Sequence, residues 1–350
     1  MIRIPNCLKI HFKKGLYSLI FSVTGRCNSK CLMCYYWQEI DESSKEKELS
    51  IDEITQIAKK LGRFFILFLT GGETTLREDL PEICSIFREK NNISSIFLPT
   101  NGLNPNQIVR VIREIAQLCP NTSISVLLPL EGKPNINDSI RGVNGAFECT
   151  LESIKKLNEL KKLYPKISVA VNTVISNKNI KSFLPLREYV FNELGVDMHS
   201  FSPVRGVPRN SEVQPPDYKE WTELCCEMEK YYHGYLKKRS SGWKNILASN
   251  TWRYHNRLIG KILKNNSQPF KCLAGERIAV LEWDGRIRLC ELTPVIGNVR
   301  NMDYDLLRVL KSPKAMELKS NLGKCACTHA CFLGSSLPYY PLKFLRSYLP

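Results

Sequence analysis

No apolar run in the 350-residue chain approaches the ~18 residues of a bilayer-spanning helix, which argues against an ordinary transmembrane segment. The N-terminus, MIRIPNCLKIHFKKGLYSLIF, lacks the long apolar core and small-residue cleavage site of a signal peptide, so the expected compartment is the cytoplasm. Low-complexity tracts and internal repeats are also missing, and 43% hydrophobic content suits a packed core rather than disorder. Acidic residues are absent from Tyr231 to Gly275, where nine Lys and Arg supply much of the formal +16 charge. Cysteine, by contrast, is abundant at 14. Without an export signal these thiols do not read as a disulfide framework; they are free for metal or catalysis. Eight fall into two groups, Cys27/Cys31/Cys34 and Cys272/Cys290/Cys325/Cys327/Cys331. The remaining six, from Cys7 to Cys226, are scattered and suit small apolar positions.

Residues 16–23, 64–70, 94–100, 123–130, 166–175 and 198–204 are short β-rich apolar runs, separated by helical patterns. The clearest helix start is LSIDEITQIAKKLG, where Ser50 and Glu53 have the spacing of a capping box ahead of Ile51, Ile54, Ile57 and Leu61. Six successive βα units predict a parallel α/β sheet, either an open barrel or a doubly wound sheet. Both collect ligands at the carboxyl ends of the strands. The unusual residues fall there: the cysteine loop after the first strand, Gly71-Gly72-Glu73 after the second, Asn101-Gly102 after the third and Arg205-Gly206 after the sixth. Near residue 280, ERIAVLEWDGRIRLCEL predicts a β-hairpin turning at Asp284-Gly285.

The loop TGRCNSKCLMCYYW offers C-x3-C-x2-C with no fourth cysteine and no histidine nearby. A structural zinc site wants four protein ligands, and a distant fourth stays open as an alternative. A [4Fe-4S] cluster held by three cysteines instead keeps one iron free for another ligand.

CNSKCLMC resembles the signature of the radical S-adenosylmethionine (SAM) superfamily. LTGGETTLREDL is similar to the superfamily's GGE segment, and PTNG, NTVI, PVRG and IRGVNGAFECTLESIKKL sit where its members have comparable runs. The resemblance covers roughly residues 15–210. It implies a partial (β/α)6 TIM-like barrel whose cluster, ligated by Cys27, Cys31 and Cys34, donates an electron to SAM, giving a 5′-deoxyadenosyl radical that removes a hydrogen atom from substrate. It further implies close backbone approach at Gly71 and Gly72, Glu73 as partner of the SAM ammonium, and cofactor contacts at Met33, Tyr35, Thr100, Asn101, Asn172 and Arg205. Three places depart from the pattern: Met33 stands before the third cysteine in place of an aromatic, Thr74 follows GGE in place of proline, and LPLEG replaces the common SLDG. No residue of LPLEG is assigned, nor any catalytic residue.

The second cysteine group, with Gly285 five positions before Cys290 and then CACTHAC, resembles the SPASM or twitch auxiliary-cluster domains. Five cysteines rather than seven imply one auxiliary [4Fe-4S] cluster, with Cys272, Cys290, Cys327 and Cys331 favoured and Cys325 the rival. A zinc knuckle using His329 is the alternative; otherwise His329 is expected to be solvent-exposed or beside the ligands. The divisions expected are a barrel at 1–215, a basic helical region at 216–268, an auxiliary domain at 269–335 and an aromatic, basic tail at 336–350. Peptide, sugar or alcohol substrates fit such enzymes, and the charge adds an anionic one, phosphate-bearing or lipid-linked. In WRYHNRLIGKILK, Trp252, His255, Leu258, Ile259, Ile262 and Leu263 share a helical face with the basic residues largely elsewhere, a pattern that suits either an anionic membrane surface, here the inner face, or a helix packed on the barrel with its basic face solvated. The resemblance implies an electron donor such as flavodoxin or ferredoxin. No nucleic-acid module accompanies the charge. A cluster- or zinc-binding protein without radical chemistry is the contrasting class.

Overall fold

The computed structural model describes residues 15–239 and 243–346. Cys7 and the rest of the N-terminal segment lie outside the described residues, as do 240–242, the last four residues of the tail, and the side chains of Lys237, Lys238, Arg239 and Lys244.

Six of the expected strands form where the apolar runs are: β1 (Ser18–Thr24), β2 (Ile66–Gly71), β3 (Ser95–Pro99), β4 (Ser123–Pro129), β5 (Ile167–Ile175) and β6 (Met198–Pro203). They pair in parallel and in consecutive order, 6-5-4-3-2-1, each crossover carrying at least one helix. A doubly wound sheet reverses its strand order near the middle. This one does not, so the chain winds in one direction, as in a partial barrel. β1 is buried at every position, Ser18, Ser22 and Thr24 included, as a strand covered on both faces requires.

Local chemistry agrees with the winding. The helix Ile51–Leu61 starts at Ser50, whose hydroxyl accepts from the Glu53 N–H while Glu53 reaches back to the Ser50 N–H. It buries Ile54, Ile57, Ala58 and Leu61. At about 1.5–3 kcal/mol for each large aliphatic, this face holds the helix on the sheet far more strongly than the cap does.

Beyond β6 the structure adds what the alternation did not predict. β7 (Ile278–Leu281) pairs in parallel with β1, Ser18 opposite Ile278 and Phe21 opposite Leu281. The predicted hairpin follows, β7 turning through Gly285 (φ +87°) into β8 (Arg286–Arg288), and an unforeseen strand, β9 (Val295–Asn298), completes a nine-stranded sheet. β1 would otherwise be a bare apolar edge. β7, itself wholly buried, covers it and joins the cysteine-bearing segment to the barrel core.

The long helices Tyr218–Arg239 and Trp243–Asn265 pack together. Leu258, Ile259 and Ile262 are buried against Trp221, Phe201, Phe270 and Leu333, with Trp252 and Leu263 packed beside them. The apolar face that suggested a membrane surface is therefore occupied by the protein itself. Arg257, Lys261 and Lys264 stay exposed. No helix among the described residues is long and apolar enough to cross a membrane. Of the tail, Tyr340 and Phe344 fold back onto the same cluster while Leu342 and Leu345 are exposed.

Candidate active site and second cysteine site

All six parallel strands send their carboxyl ends to one cavity of about 270 Å³. Cys27, Cys31, Cys34, Met33 and Tyr35 line it after β1, Gly71 and Gly72 at β2, Thr100 and Asn101 at β3, Asn172 at β5 and Arg205 after β6. Burial pushes the free thiols of Cys27 and Cys34 up to about 11. The glycines admit close approach, but the approach is to their own chain. A Cβ on Gly71 would lie 2.2 Å from the Thr24 carbonyl oxygen and one on Gly72 only 2.0 Å from that of Arg26. This closeness lets the Gly72 and Glu73 N–H groups donate to Thr24 and Arg26, each at 2.8 Å, and pins the cysteine loop to the end of β2.

Glu73 is placed differently from its expected role. It is 2% exposed and absent from the cavity wall. Its Oε1 accepts from the Thr75 N–H (3.1 Å), the Thr75 hydroxyl (2.6 Å) and the Thr100 hydroxyl (2.7 Å), and its Oε2 from the Asn101 N–H (2.5 Å). The carboxylate thus ties the ends of β2 and β3 together, because those donors surround it.

Two lining residues escaped the sequence reading. Glu131, in LPLEG, is buried with Oε2 accepting from the Val174 N–H (2.8 Å) and Oε1 without a hydrogen bond, 3.7 Å from Arg141. Burial pushes its carboxyl up to about 7 against the pull of Arg141. Arg141 stands on the Cys27/Cys31 side of the cavity, its Nε unpartnered, and its carbonyl accepts from Ser29 (2.8 Å). The only signal for either was position, at the end of β4 and in the following IRG.

The second cysteine group surrounds a smaller cavity lined by Cys272, Cys290, Cys325 and Cys327. The Cys290 and Cys325 thiols lie next to that of Cys327, and Cys327 Sγ accepts from the His329 N–H at 3.2 Å. Cys331, favoured over Cys325 from sequence, is off this lining and half-buried near Glu291 and Arg205. It lies in the first turn of the helix Ala330–Ser336, whereas Cys325 is in the extended approach to it. His329 is 4% exposed rather than solvent-facing. Its Nδ1 accepts from the Cys331 N–H (3.3 Å) and its Nε2 meets the Glu291 carboxylate. With both ring nitrogens engaged, the zinc knuckle loses its histidine. Among the described residues no three Cys, His, Asp or Glu side chains gather closely enough to hold a single metal ion.

Three soft cysteine sulfurs around one cavity, without a fourth cysteine or a histidine on its wall, fit an iron-sulfur cluster with an open iron. The radical SAM superfamily model matches residues 21–190, the segment that builds this site. The Fe-coproporphyrin III synthase of Methanosarcina barkeri is 30% identical, over 93% of this chain and 83% of its own. The AdoMet-dependent heme synthase of the same organism is 26% identical, over 89% of each chain. Streptococcus suis SuiB, solved bound to S-adenosylmethionine, shares the fold at 17% identity and a TM-score of 0.63, across 90% of this chain and 70% of its own. The chain belongs to the radical SAM superfamily. It is an enzyme that works with a [4Fe-4S] cluster and SAM.

Proposed function

We propose that Cys27, Cys31 and Cys34 hold the SAM-binding cluster, that Cys272, Cys290, Cys325 and Cys327 hold one auxiliary [4Fe-4S] cluster, and that the substrate is an anionic tetrapyrrole bearing several carboxylates. When bound, the first cluster supplies the reductive cleavage of SAM that starts hydrogen abstraction. The protein's own part is to orient and enclose. Met33, Thr100, Asn101 and Asn172 line the SAM cavity, Gly71, Gly72 and Glu73 brace its loops, and Arg141 is the cation nearest Cys27 and Cys31. In this reading the division 1–215 contains the SAM site, 216–268 contributes Pro216, Asp217, Ile262 and Leu263 to the substrate cleft, 269–335 contains the auxiliary site and 336–350 contributes Leu337, Tyr340 and Phe344 to the second core. Flavodoxin or ferredoxin would supply the electron.

The observation that carries the substrate reading is a cleft of about 570 Å³, within the range of small-molecule sites. It shares Val204 and Arg205 with the SAM cavity and Cys325 and Cys327 with the second cysteine site. A molecule in it reaches both sites and meets a cation at their junction. The two relatives that make Fe-coproporphyrin III and heme match this chain over most of their length, which favours a tetrapyrrole over a peptide.

The test is anaerobic turnover of reconstituted protein with SAM and dithionite, offered Fe-coproporphyrin III, its iron-free form, GTP or a peptide in separate reactions. 5′-Deoxyadenosine is measured together with substrate mass. Porphyrin-dependent 5′-deoxyadenosine, absent from a Cys27→Ala/Cys31→Ala/Cys34→Ala variant, is the expected result. Stimulation by GTP or peptide alone would replace the tetrapyrrole.

A further inference from the structure

We propose that four buried or half-buried side chains, Tyr35, Glu291, His329 and Arg205, couple the two cysteine sites, so that each site senses the geometry and charge of the other. Tyr35 directly follows Cys34, and Glu291 directly follows Cys290. His329 stands between Cys327 and Cys331. The Tyr35 hydroxyl donates to Glu291 Oε1 at 2.6 Å, a single bond between the neighbours of two cysteines that lie 256 positions apart in their partners' sequence separation. Glu291 Oε2 receives the His329 Nε2–H. The tautomer follows from the other nitrogen: Nδ1 accepts the Cys331 N–H, so the proton is on Nε2 and the ring is neutral. Arg205 lies over the Tyr35 ring, 4.9 Å from its centroid, with Nη2 3.3 Å from His329 and Nε unpartnered. One carboxylate and one guanidinium are thus fixed between the sites.

The coupling has a mechanical side as well. Past Tyr35, the Tyr36 hydroxyl bonds Glu282 (2.5 Å) and Glu39 pairs with Arg286 (2.6 Å) and Arg288 (2.5 Å), all on the hairpin that leads into Cys290. The loop that carries Cys34 is clamped along its outgoing side by the segment that carries Cys290. A shift of one loop has to move the other, because buried polar partners are costly to separate. Tyr35 and Arg205 also line the SAM cavity; in the coupling itself all four act as positioning residues.

The inference rests on the reading that both cysteine groups hold clusters. Its test uses the reconstituted full chain, with Glu291→Gln, which keeps the shape and removes the charge, Tyr35→Phe, which removes only a hydroxyl, and the double variant. Iron per chain, the EPR signal of each reduced cluster and both midpoint potentials are measured, with and without SAM. Each substitution is expected to alter the signal of the centre across the bond from it, Tyr35→Phe at the auxiliary cluster and Glu291→Gln at the SAM-binding one. Glu291→Gln should raise both potentials, since an anion that disfavours the added electron is gone, and the double variant should change less than the two singles combined. Changes confined to each residue's own site, or strictly additive, overturn the coupling. If Glu291→Gln does not fold, Tyr35→Phe decides alone by its effect on the auxiliary signal. Wild-type protein with iron for only one cluster would instead overturn the two-cluster reading and the inference with it.

Discussion

Replacing Gly72 by Ala isolates the contact that seats the cysteine loop. Its φ is outside the left-handed region, so the backbone itself tolerates alanine, and the whole cost comes from space. The new methyl would lie 2.0 Å from the Arg26 carbonyl oxygen, 2.5 Å from its carbon and 2.9 Å from the Gly25 oxygen. These are backbone atoms, which cannot rotate away as a flexible side chain would. Relief requires the loop to separate from β2, losing the Gly72-to-Thr24 and Glu73-to-Arg26 hydrogen bonds. Overpacking costs about 1–3 kcal/mol. Two backbone bonds add about 0.5–1.5 kcal/mol each. The expected destabilisation is therefore about 2–6 kcal/mol, with Cys27 displaced in whatever fold remains. Gly323→Ala is the control, since nothing lies within 4 Å of a Cβ there and its φ is unstrained. Urea denaturation gives the stability, and iron retained after anaerobic reconstitution gives the loop geometry. If Gly72→Ala matches Gly323→Ala within about 0.5 kcal/mol and keeps its iron, the steric reasoning fails.

Three further expectations follow from other contacts. Glu73→Gln turns an amide N–H₂ toward a donor in a carboxylate site that accepts four hydrogen bonds; it should cost about 1–3 kcal/mol in thermal or chemical denaturation, and wild-type stability would show the cluster of donors to be unimportant. Cys325→Ser should lose the auxiliary iron while Cys331→Ser keeps it, and iron analysis giving the reverse order would restore the sequence-based choice of ligands. Burial and the neighbouring Arg187 hold His199 well below the ordinary imidazole value, with Nε2 bonded to the Thr173 hydroxyl at 2.9 Å. The folded state keeps that ring neutral. Its contribution is thus fully present above the unfolded value of about 6.5 and is lost as pH falls below it. Denaturation at pH 7.5 and 5.5 should show wild type losing more stability than His199→Gln, and equal losses would refute the assignment.

Much of the molecule was legible in the chain because it rests on local rules. The alternation of β-rich runs with 3.6-residue periodicity located six strands to within about two residues, as element ends usually allow. Ser50 and Glu53 announced a capping box that forms as written, and Asp284-Gly285 announced the hairpin. The positions singled out for Cys27, Cys34, Thr100, Asn101, Asn172 and Arg205 share a cavity because a parallel sheet presents all its carboxyl ends at one side.

Other features depended on partners far away in sequence. Nothing in IAVL says that it pairs with β1; that pairing is favoured because an edge strand carrying Leu19, Ile20, Phe21 and Val23 needs covering. The face of WRYHNRLIGKILK has the amphipathic pattern of a membrane-surface helix, and only the presence of Trp221, Phe201 and Phe270 turned it inward. Glu73 reads as a free anion until Thr75, Thr100 and Asn101 are brought around it. Cys325 lines the second cavity and Cys331 does not, a placement that spacing alone does not give. The Tyr35–Glu291 bond joins residues that sequence spacing gives no reason to connect. The sequence by itself determined the strands and their alternation with helices, the three-cysteine loop and the chemistry of its thiols, because each follows from residue type and short-range period. The tertiary structure decided which carboxylates face the cavity, which cysteines face one another and where apolar faces end, because those follow from packing between segments whose separation along the chain carries no information about their contact.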